Sequence, residues 1–320
     1  MISGVGHCLP QTTESNEELC KGLEVNPDWI LEKTGITQRY IAGQGESASS
    51  YAVAAAQNAL DMSGVASSEI DLIIVCTFSG DYIFPPVSAK VQMELNAVNA
   101  QIFDIQANCT GFVTGLTVAS DRMKADSTVK HALIIGVEML SRYIDRTDVN
   151  TAIYLSDGAG AATLSRDDGA HYGIRSSSFH TDTSNYEAVR LRGGGSDFRK
   201  KDDSFDSKVD FMEMNGVATW KQAITHLPRV IREAVKKADF EVEDVDFLIF
   251  HQANLRMIEY IVRKMKFDLN QTYTNVDRVG NTGSASLAIA LSEAVNKNLL
   301  ADGNVVVLAA VGAGFNFGAS

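Results

Sequence analysis

Two stretches of the chain decide its fold: EIDLIIV at residues 69–75 and DVDFLIF at residues 244–250. Both end in a near-continuous apolar run, which is typical of strands buried on both faces of a parallel sheet. Two further pairs repeat at a similar spacing, Cys109-Thr110-Gly111 with Asn281-Thr282-Gly283 and the apolar strand 132–136 with 305–309. Spacings of about 172 to 175 residues predict two similar halves, which we place at residues 1–168 and 169–320.

Strands and helices alternate in each half. The alanine-rich segment 51–62, followed by Gly64, predicts a helix. The first half also has predicted helices at 85–95 and 111–125, and apolar spacing predicts second-half helices at 217–238, 255–265 and 284–299. This alternation predicts an α/β protein with largely parallel sheets and βαβαβ halves. The irregular segment 180–210, which contains Gly193-Gly194-Gly195, is predicted to be a long connection; a flexible loop is favoured over a phosphate cradle.

Composition excludes several classes of protein. With 320 residues, 45% of them hydrophobic, the chain can bury a sizeable core. A net charge of −12 and a pI near 5.0 argue against nucleic-acid binding. No apolar run approaches the roughly 20 residues that span a bilayer, and residues 1–10 do not resemble a signal peptide. Four cysteines without Cys-x-x-Cys or metal-ligand spacing favour a reducing compartment, so we expect a cytoplasmic protein without a metal.

Cys109 is the candidate nucleophile. It lies between the short apolar strand 102–105 and a helix predicted to begin near Thr110, where free N–H groups and the helix dipole favour thiolate. A free cysteine is, however, more often a buried apolar residue. His251 follows another strand and Asn281 precedes another helix. Because junctions of this kind often carry the chemistry of α/β folds, the three residues together indicate a catalytic site.

The whole chain resembles the β-ketoacyl-acyl-carrier-protein synthase III family, the condensing-enzyme branch of the thiolase superfamily. The resemblance implies a thiolase-like fold in which the two halves form a five-layered αβαβα sandwich. It is carried by a set of short motifs: WILEKTGI at 29–36, NCTGF at 108–112, GVE at 136–138, SDGAGA at 156–161, MNG at 214–216, HQAN at 251–254, GNT at 280–282 and GAGFNFG at 312–318.

The resemblance implies a role for each catalytic residue. Cys109 would attack an acyl thioester and become acylated. His251 and Asn281 would hold the carbonyl of a malonyl donor and assist its decarboxylation. The backbone N–H groups of Cys109 and Ala313 would form a second oxyanion site. The product would be a β-ketoacyl thioester of fatty-acid or specialised acyl biosynthesis. The alternative is a non-condensing acyltransferase or partner subunit that passes the acyl group to an alcohol, an amine or another acceptor.

Substrate contacts are also implied. The family grips the coenzyme A adenine between a tryptophan and an arginine; Trp29 matches the first, but Val149 occupies the second position. A further family arginine is Lys33 here, and the loss of arginine removes planar stacking and bidentate phosphate binding. The remaining contacts implied for coenzyme A or the acyl group are Val217, Asn254 and Phe84, the last reaching into the acyl tunnel of the partner subunit in a homodimer.

The implied substrates are acyl-CoA or acyl-carrier protein and malonyl-carrier protein (or malonyl-CoA), with no further cofactor. A basic surface would dock the acidic carrier protein; solvated helix-face charge is the alternative reading of the same residues, Lys221, Arg256, Arg263 and Lys264. The absence of cysteine after Cys109 distinguishes the chain from biosynthetic thiolases. Asp81 is the carboxylate nearest to the place of the glutamate base of HMG-CoA synthase-like enzymes, and we interpret it as a loop residue.

Overall fold

The computed structural model describes residues 1–167, 172–196 and 207–320. The predicted boundary after residue 168 lies outside these residues, as does part of the predicted connection 180–210. Sheet strands and short strands of the first half follow in chain order: β1 (Ile2–Cys8), β2 (Thr13–Ser15), β3 (Gln38–Tyr40), β4 (Leu72–Cys76), β5 (Gln101–Ile105), β6 (His131–Met139) and β7 (Asp157–Ser165). Those of the second half are β8 (Ser178–Thr181), β9 (Val189–Leu191), β10 (Met212–Met214), β11 (Phe247–Phe250), β12 (Thr272–Tyr273), β13 (Val306–Gly312) and β14 (Asn316–Ala319).

Helices alternate with these strands. In the first half they are α1 (Asn16–Leu19), α2 (Pro27–Thr34), α3 (Ala48–Ser63), α4 (Val87–Leu95), α5 (Gly111–Ala125) and α6 (Val149–Ala152). In the second half they are α7 (Gly216–Lys237), α8 (Leu255–Lys264), α9 (Val276–Val279) and α10 (Ser286–Asn296). The predicted helix over 51–62 is confirmed as α3, and Gly64 ends it in the left-handed conformation at φ +70°.

Two five-stranded sheets have the same topology. Their strand orders are β1-β7-β6-β4-β5 and β8-β14-β13-β11-β12. In each sheet the last three strands pair in parallel and the first two join by antiparallel pairing. The predicted duplication is therefore confirmed strand by strand.

Apolar side chains place the helices in layers around these sheets. On β4, Ile73 packs with α3 and α4 on the outer face, whereas Ile74 faces the central helices α5 and α10. On β11, Leu248 packs with α7 and α8, and Ile249 faces the same central layer. All four side chains are fully buried. Since neighbouring residues of each strand are buried on opposite faces, the order of layers is αβαβα, as the resemblance implied.

Glycine allows the central layer to approach the first sheet closely. A Cβ atom added to Gly136 on β6 would lie 2.5 Å from the carbonyl oxygen of Ser284, and 2.9 Å from its carbonyl carbon. Real Cβ atoms do not come so close to backbone, so a larger residue at this position would force the segment that precedes α10 away from the sheet.

Three predicted details are wrong. The helix predicted to begin at residue 284 begins at Ser286, after a single 3₁₀ turn over Gly283–Ala285. A matching turn over Asn108–Thr110 precedes α5, so the counterpart of Cys109 is Ser284 at a spacing of 175, and not Asn281 at 172. The predicted irregular connection contains β9, which pairs with β10 in a small antiparallel ribbon; three-residue strands are too short to show an alternating pattern.

Candidate active site

One large cavity contains the three predicted catalytic residues. Its volume is about 2290 Å³, and its walls include Cys109, His251 and Asn281. Cys109 follows β5 in the first half, whereas His251 follows β11 and Asn281 follows α9 in the second. Because the carboxyl ends of β5 and β11 open onto the same space, the duplication brings chemically different residues together.

The segment around Cys109 is held tightly against the end of β13. Asn108 adopts φ +50°, which is unusual for a residue with a side chain, and its Nδ2 donates to the carbonyl oxygen of Ala313 at 3.1 Å. A Cβ atom at Gly312 would lie 3.1 Å from the backbone nitrogen of Cys109. The backbone of 312–313 therefore lies directly beside the candidate nucleophile.

The expected low pKa of Cys109 is wrong for this structure. Burial raises the pKa of the thiol to about 12, and the negative field of Glu138 adds to the effect, while the residue's own backbone N–H opposes it. The free-energy cost of removing a thiolate from water exceeds the electrostatic stabilisation that the helix N-terminus provides. Cys109 thus rests as a thiol, and it would have to lose its proton to act as a nucleophile.

His251 is a neutral imidazole. Burial lowers its pKa to about 4, because a charged ring would lose its hydration. The backbone N–H of His251 donates to Ala309 O at 2.8 Å, and its Nδ1 lies 2.5 Å from Ser286 Oγ on α10. Ser286 Oγ also accepts from the Gln252 N–H at 3.1 Å. The hydroxyl can donate to Nδ1 or accept from it, so both neutral tautomers are supported and Nε2 is left for a substrate.

Asn281 has a fixed amide orientation. Its backbone N–H donates to the carbonyl oxygen of Tyr154 at 2.8 Å, and its carbonyl oxygen accepts from the Ser156 N–H at 2.9 Å. Its Oδ1 accepts from the Gly283 N–H at 2.9 Å. Because that partner can only donate, the oxygen of the amide is identified, and the Nδ2 end is the one that can bind a substrate oxygen.

Several residues implied in coenzyme A and acyl binding lie on the cavity wall, including Trp29, Lys33, Phe84 and Val217. Lys33 Nζ lies 5.8 Å from the centre of the Trp29 ring, within cation–π range. Phe84 and Val217 are each 82% exposed. Val149 also lines the cavity, so an aliphatic side chain stands where the family's second adenine contact was expected.

Asn254 has a structural role that the sequence analysis did not predict. It lines the cavity, but its Oδ1 accepts from the backbone of Arg256 and Met257 and caps the start of α8. Its Nδ2 points to the Lys33 carbonyl oxygen at 3.4 Å. Asn254 therefore joins α8 to the end of α2.

The predicted basic residues are partly grouped. Arg256, Arg263 and Lys264 line a shallow depression with Trp220 and Tyr260, and it borders the main cavity at Arg256 and Trp220. Lys221 is exposed but lines neither space. Arg256 is also engaged internally, since it pairs with Glu259 at 3.4 Å and donates to backbone oxygens of α2.

Two buried residues beside the candidate catalytic residues had no predicted role. Ser286, which contacts His251, has no pattern that marks it. Glu138 lies at the end of β6 and bonds to Ser284, the counterpart of Cys109. A charged residue at the end of the apolar run 132–137 is a signal that could have identified it. Asp81, by contrast, accepts from the N–H and hydroxyl of Ser49 near the start of α3, which agrees with a structural loop residue.

Neither a metal-binding cluster nor a membrane-spanning helix is found in the described ranges. They contain no group of three or more His, Cys, Asp or Glu side chains arranged to hold a metal ion. No helix among them is long and apolar enough to cross a bilayer.

Comparison with known proteins agrees with this geometry. The family model for 3-oxoacyl-[acyl-carrier-protein (ACP)] synthase III matches residues 103–183, and the model for the C-terminal part of that synthase matches residues 235–320. The chain is 38% identical to β-ketoacyl-[acyl-carrier-protein] synthase III of Rhodospirillum centenum, over 100% of this chain and 97% of the relative. It is also 38% identical to the synthase III of Wolbachia pipientis wMel, over 99% and 96%.

Solved structures of similar proteins share the whole fold. The synthase III from Aquifex aeolicus superposes with a TM-score of 0.91 at 31% identity, covering 99% of this chain and 97% of the other. The priming β-ketosynthase of the R1128 polyketide pathway gives a TM-score of 0.92 at 30% identity, covering 100% and 94%.

Proposed function

The chain belongs to the β-ketoacyl-acyl-carrier-protein synthase III family and is an acyl-transferring condensing enzyme, and we propose that Cys109, His251 and Asn281 carry its two half-reactions. The observation that supports these roles is the meeting of the three side chains, drawn from both halves of the chain, in one cavity.

The first half-reaction is acyl transfer to sulfur. Cys109 Sγ attacks the carbonyl carbon of an acyl thioester, the carbon–sulfur bond of the donor breaks, and the departing sulfur leaves as a thiol. The proton lost from Cys109 ends on that thiol. The backbone N–H groups of Cys109 and Ala313 stabilise the tetrahedral oxyanion.

The second half-reaction forms a carbon–carbon bond. A malonyl thioester loses carbon dioxide, and the electron pair passes into an enolate whose oxygen accepts hydrogen bonds from His251 Nε2–H and Asn281 Nδ2. The enolate carbon attacks the acyl carbonyl on Cys109, the carbon–sulfur bond breaks, and the released thiolate takes up one proton from solvent. Neutral donors in a site with little water stabilise such an oxyanion strongly, which is consistent with the low pKa of His251.

Acyl and carrier preferences follow from residues at the cavity mouth. Val149 offers neither the stacking surface nor the charge of an arginine, so we propose that the enzyme is primed by a longer, branched or carrier-bound acyl group and not by acetyl-CoA. Arg256, Arg263 and Lys264 around the shallow depression are proposed to dock an acidic carrier protein beside the entrance.

We also propose a homodimer in the cytoplasm. The exposed run Tyr82, Ile83 and Phe84, whose residues are 69%, 85% and 82% accessible, is an apolar projection suited to burial against a second copy. All four cysteines are free, which supports a reducing compartment.

The test combines two measurements on the same protein. Intact-mass analysis after exposure to a panel of acyl-CoA and acyl-carrier thioesters should show one acyl group per chain, located on Cys109. Addition of malonyl-carrier protein should then release carbon dioxide and yield a ketoacyl product. Acylation without carbon dioxide release, followed by transfer to an alcohol or amine, would identify the chain as a non-condensing acyltransferase.

A further inference from the structure

Glu138 is a fully buried carboxyl group without a charged partner. It lies at the end of β6 with none of its surface exposed. Its hydrogen-bond partners in the described part of the chain are neutral: the hydroxyls of Thr77, Ser79 and Ser284 and the backbone N–H of Phe78. No lysine or arginine forms an ion pair with it among those residues. An ionised carboxylate in such a place would have a large desolvation cost that these neutral partners offset only in part.

The hydrogen count around Ser284 requires one more proton than the hydroxyl supplies. Ser284 Oγ lies 2.7 Å from the carbonyl oxygen of Cys76 and also 2.7 Å from Glu138 Oε1. A serine hydroxyl has one hydrogen and a carbonyl oxygen has none. If Ser284 donates to Cys76, the second contact is a hydrogen bond only when Oε1 itself carries a proton. If Ser284 donates to Glu138 instead, the contact with Cys76 has no hydrogen.

The other carboxyl oxygen has its own donor. Ser79 Oγ accepts from the Met139 N–H at 2.8 Å, so its hydroxyl hydrogen is directed to Glu138 Oε2. The proton of the acid is thereby assigned to Oε1. The resulting chain of hydrogen bonds runs from Glu138 Oε1 through Ser284 Oγ to Cys76 O, and each oxygen-to-oxygen contact in it has one hydrogen.

This chain of bonds is next to the catalytic centre. Ser284 lies three residues after Asn281 in the turn that precedes α10. The titratable groups that sense the charge of Glu138 are Cys76 on β4, Cys109 on the turn before α5 and Tyr143 beyond β6, and a negative charge raises the pKa of each.

We propose that Glu138 is a neutral carboxylic acid at physiological pH, that it holds the Ser284 turn as a proton donor, and that its ionisation in alkaline solution suppresses the reactivity of Cys109. Glu138 is a positioning residue, which acts on Cys109 through its charge and through Ser284. Burial, only partly offset by the serine donors, raises its pKa to about 8, which supports the proton assigned by geometry. The inference rests on the proposed function only in taking Cys109 as the reactive thiol.

The test follows the alkylation of Cys109 by iodoacetamide, peptide by peptide, between pH 6.5 and 10. It needs no acyl substrate, so failure of the condensation assay would leave it unaffected. Wild-type rates should rise with pH and flatten above pH about 8, whereas Glu138→Gln, whose amide can still donate to Ser284, should rise without this inflection. At pH 9.5 the variant should react roughly tenfold faster than wild type, and at pH 6.5 within about twofold of wild type.

Glu94→Gln is the matched control, because it removes an exposed carboxylate on α4 and should reproduce the wild-type profile. Coincident profiles for wild type and Glu138→Gln, or a constant ratio at every pH, would overturn the proposal. If Glu138→Gln does not fold, infrared spectra of wild-type protein with carbon-13-labelled glutamate decide the matter. A protonated glutamic acid band should be present at pH 6.5 and lost near pH 8, and its absence at pH 6.5 would refute the neutral acid.

Discussion

Gly136→Ala should loosen the contact between the first sheet and the central layer. The added Cβ would lie 2.5 Å from Ser284 O, where ordinary contact begins at 3.4 Å, so strand and turn must separate by about 0.9 Å. The obstructing atoms are backbone atoms of Ser284 and Ala285, which no side-chain rotation can move. We expect a loss of about 3 kcal/mol, at the upper end of overpacking effects.

Differential scanning calorimetry measures this loss directly. For a chain of 320 residues, about 3 kcal/mol corresponds to a fall in Tm of roughly 4 to 5 °C, from an unfolding entropy of about 2.1 cal/mol/K per residue. Gly216→Ala is the control with the same substitution, because nothing lies within 4 Å of its added Cβ at the start of α7. It should leave Tm unchanged or raise it slightly. Equal Tm values for Gly136→Ala and wild type would refute the reasoning.

Four further predictions concern the catalytic groups and the carrier surface. Cys109→Ala should abolish acyl-enzyme formation in intact-mass spectra, and acylation of another cysteine would contradict its assignment. His251→Ala and Asn281→Ala should still become acylated but lose condensation by about 10²-fold or more; normal carbon dioxide release from both would refute their roles. The pKa of His251 is about 4 in the folded protein and about 6.5 in the unfolded chain. The stabilisation that comes from a neutral His251 is therefore complete above pH 6.5, and about 3 kcal/mol of it is lost as the pH falls towards 4. Urea unfolding at pH 7 and 4.5 should accordingly show a smaller acid loss for His251→Asn than for wild type, and parallel losses would exclude a buried neutral ring. Arg263→Glu should raise the KM for malonyl-carrier protein severalfold and spare acylation by small thioesters, while Arg122→Glu on α5 serves as the control. An unchanged KM would mean that the basic residues of the depression are only solvated surface charges.

Much of the fold could be predicted because its strands carry strong local patterns. Ile73 and Ile74, or Leu248 and Ile249, lie in continuous apolar runs that only a sheet covered on both faces can bury. The constant spacing of the repeated motifs then predicted two halves of similar structure. The finer correspondence of Cys109 with Ser284 was missed, because a turn of three residues precedes each central helix and small residues fit such a turn in several registers.

The site was predictable in its residue types but not in its electrostatics. A strand-to-helix junction is visible in the sequence around Cys109, whereas the extent of its burial depends on segments far along the chain. The backbone at Gly312 packs against the backbone of Ala107, Cys109 and Thr110, and long-range packing of this kind makes desolvation of the thiolate outweigh the effect of the helix end. The partner of His251, Ser286, is likewise 35 residues away and is brought near only by the packing of α10 under β11.

Duplication has given this protein two equivalent positions, one in each sheet, beside the turns that precede the central helices α5 and α10. Phe250 pairs with Ala309 as Val75 pairs with Ile135, so Gly312 occupies in the second sheet the position that Glu138 occupies in the first. In the second sheet a glycine faces the turn that carries Cys109, so no side chain stands between them. In the other copy a carboxyl side chain fills that space and is bonded to a serine in place of the cysteine. The two halves therefore share one backbone plan but differ at this position, where a hydrogen-bonded carboxyl side chain stands in the first sheet and no side chain stands in the second.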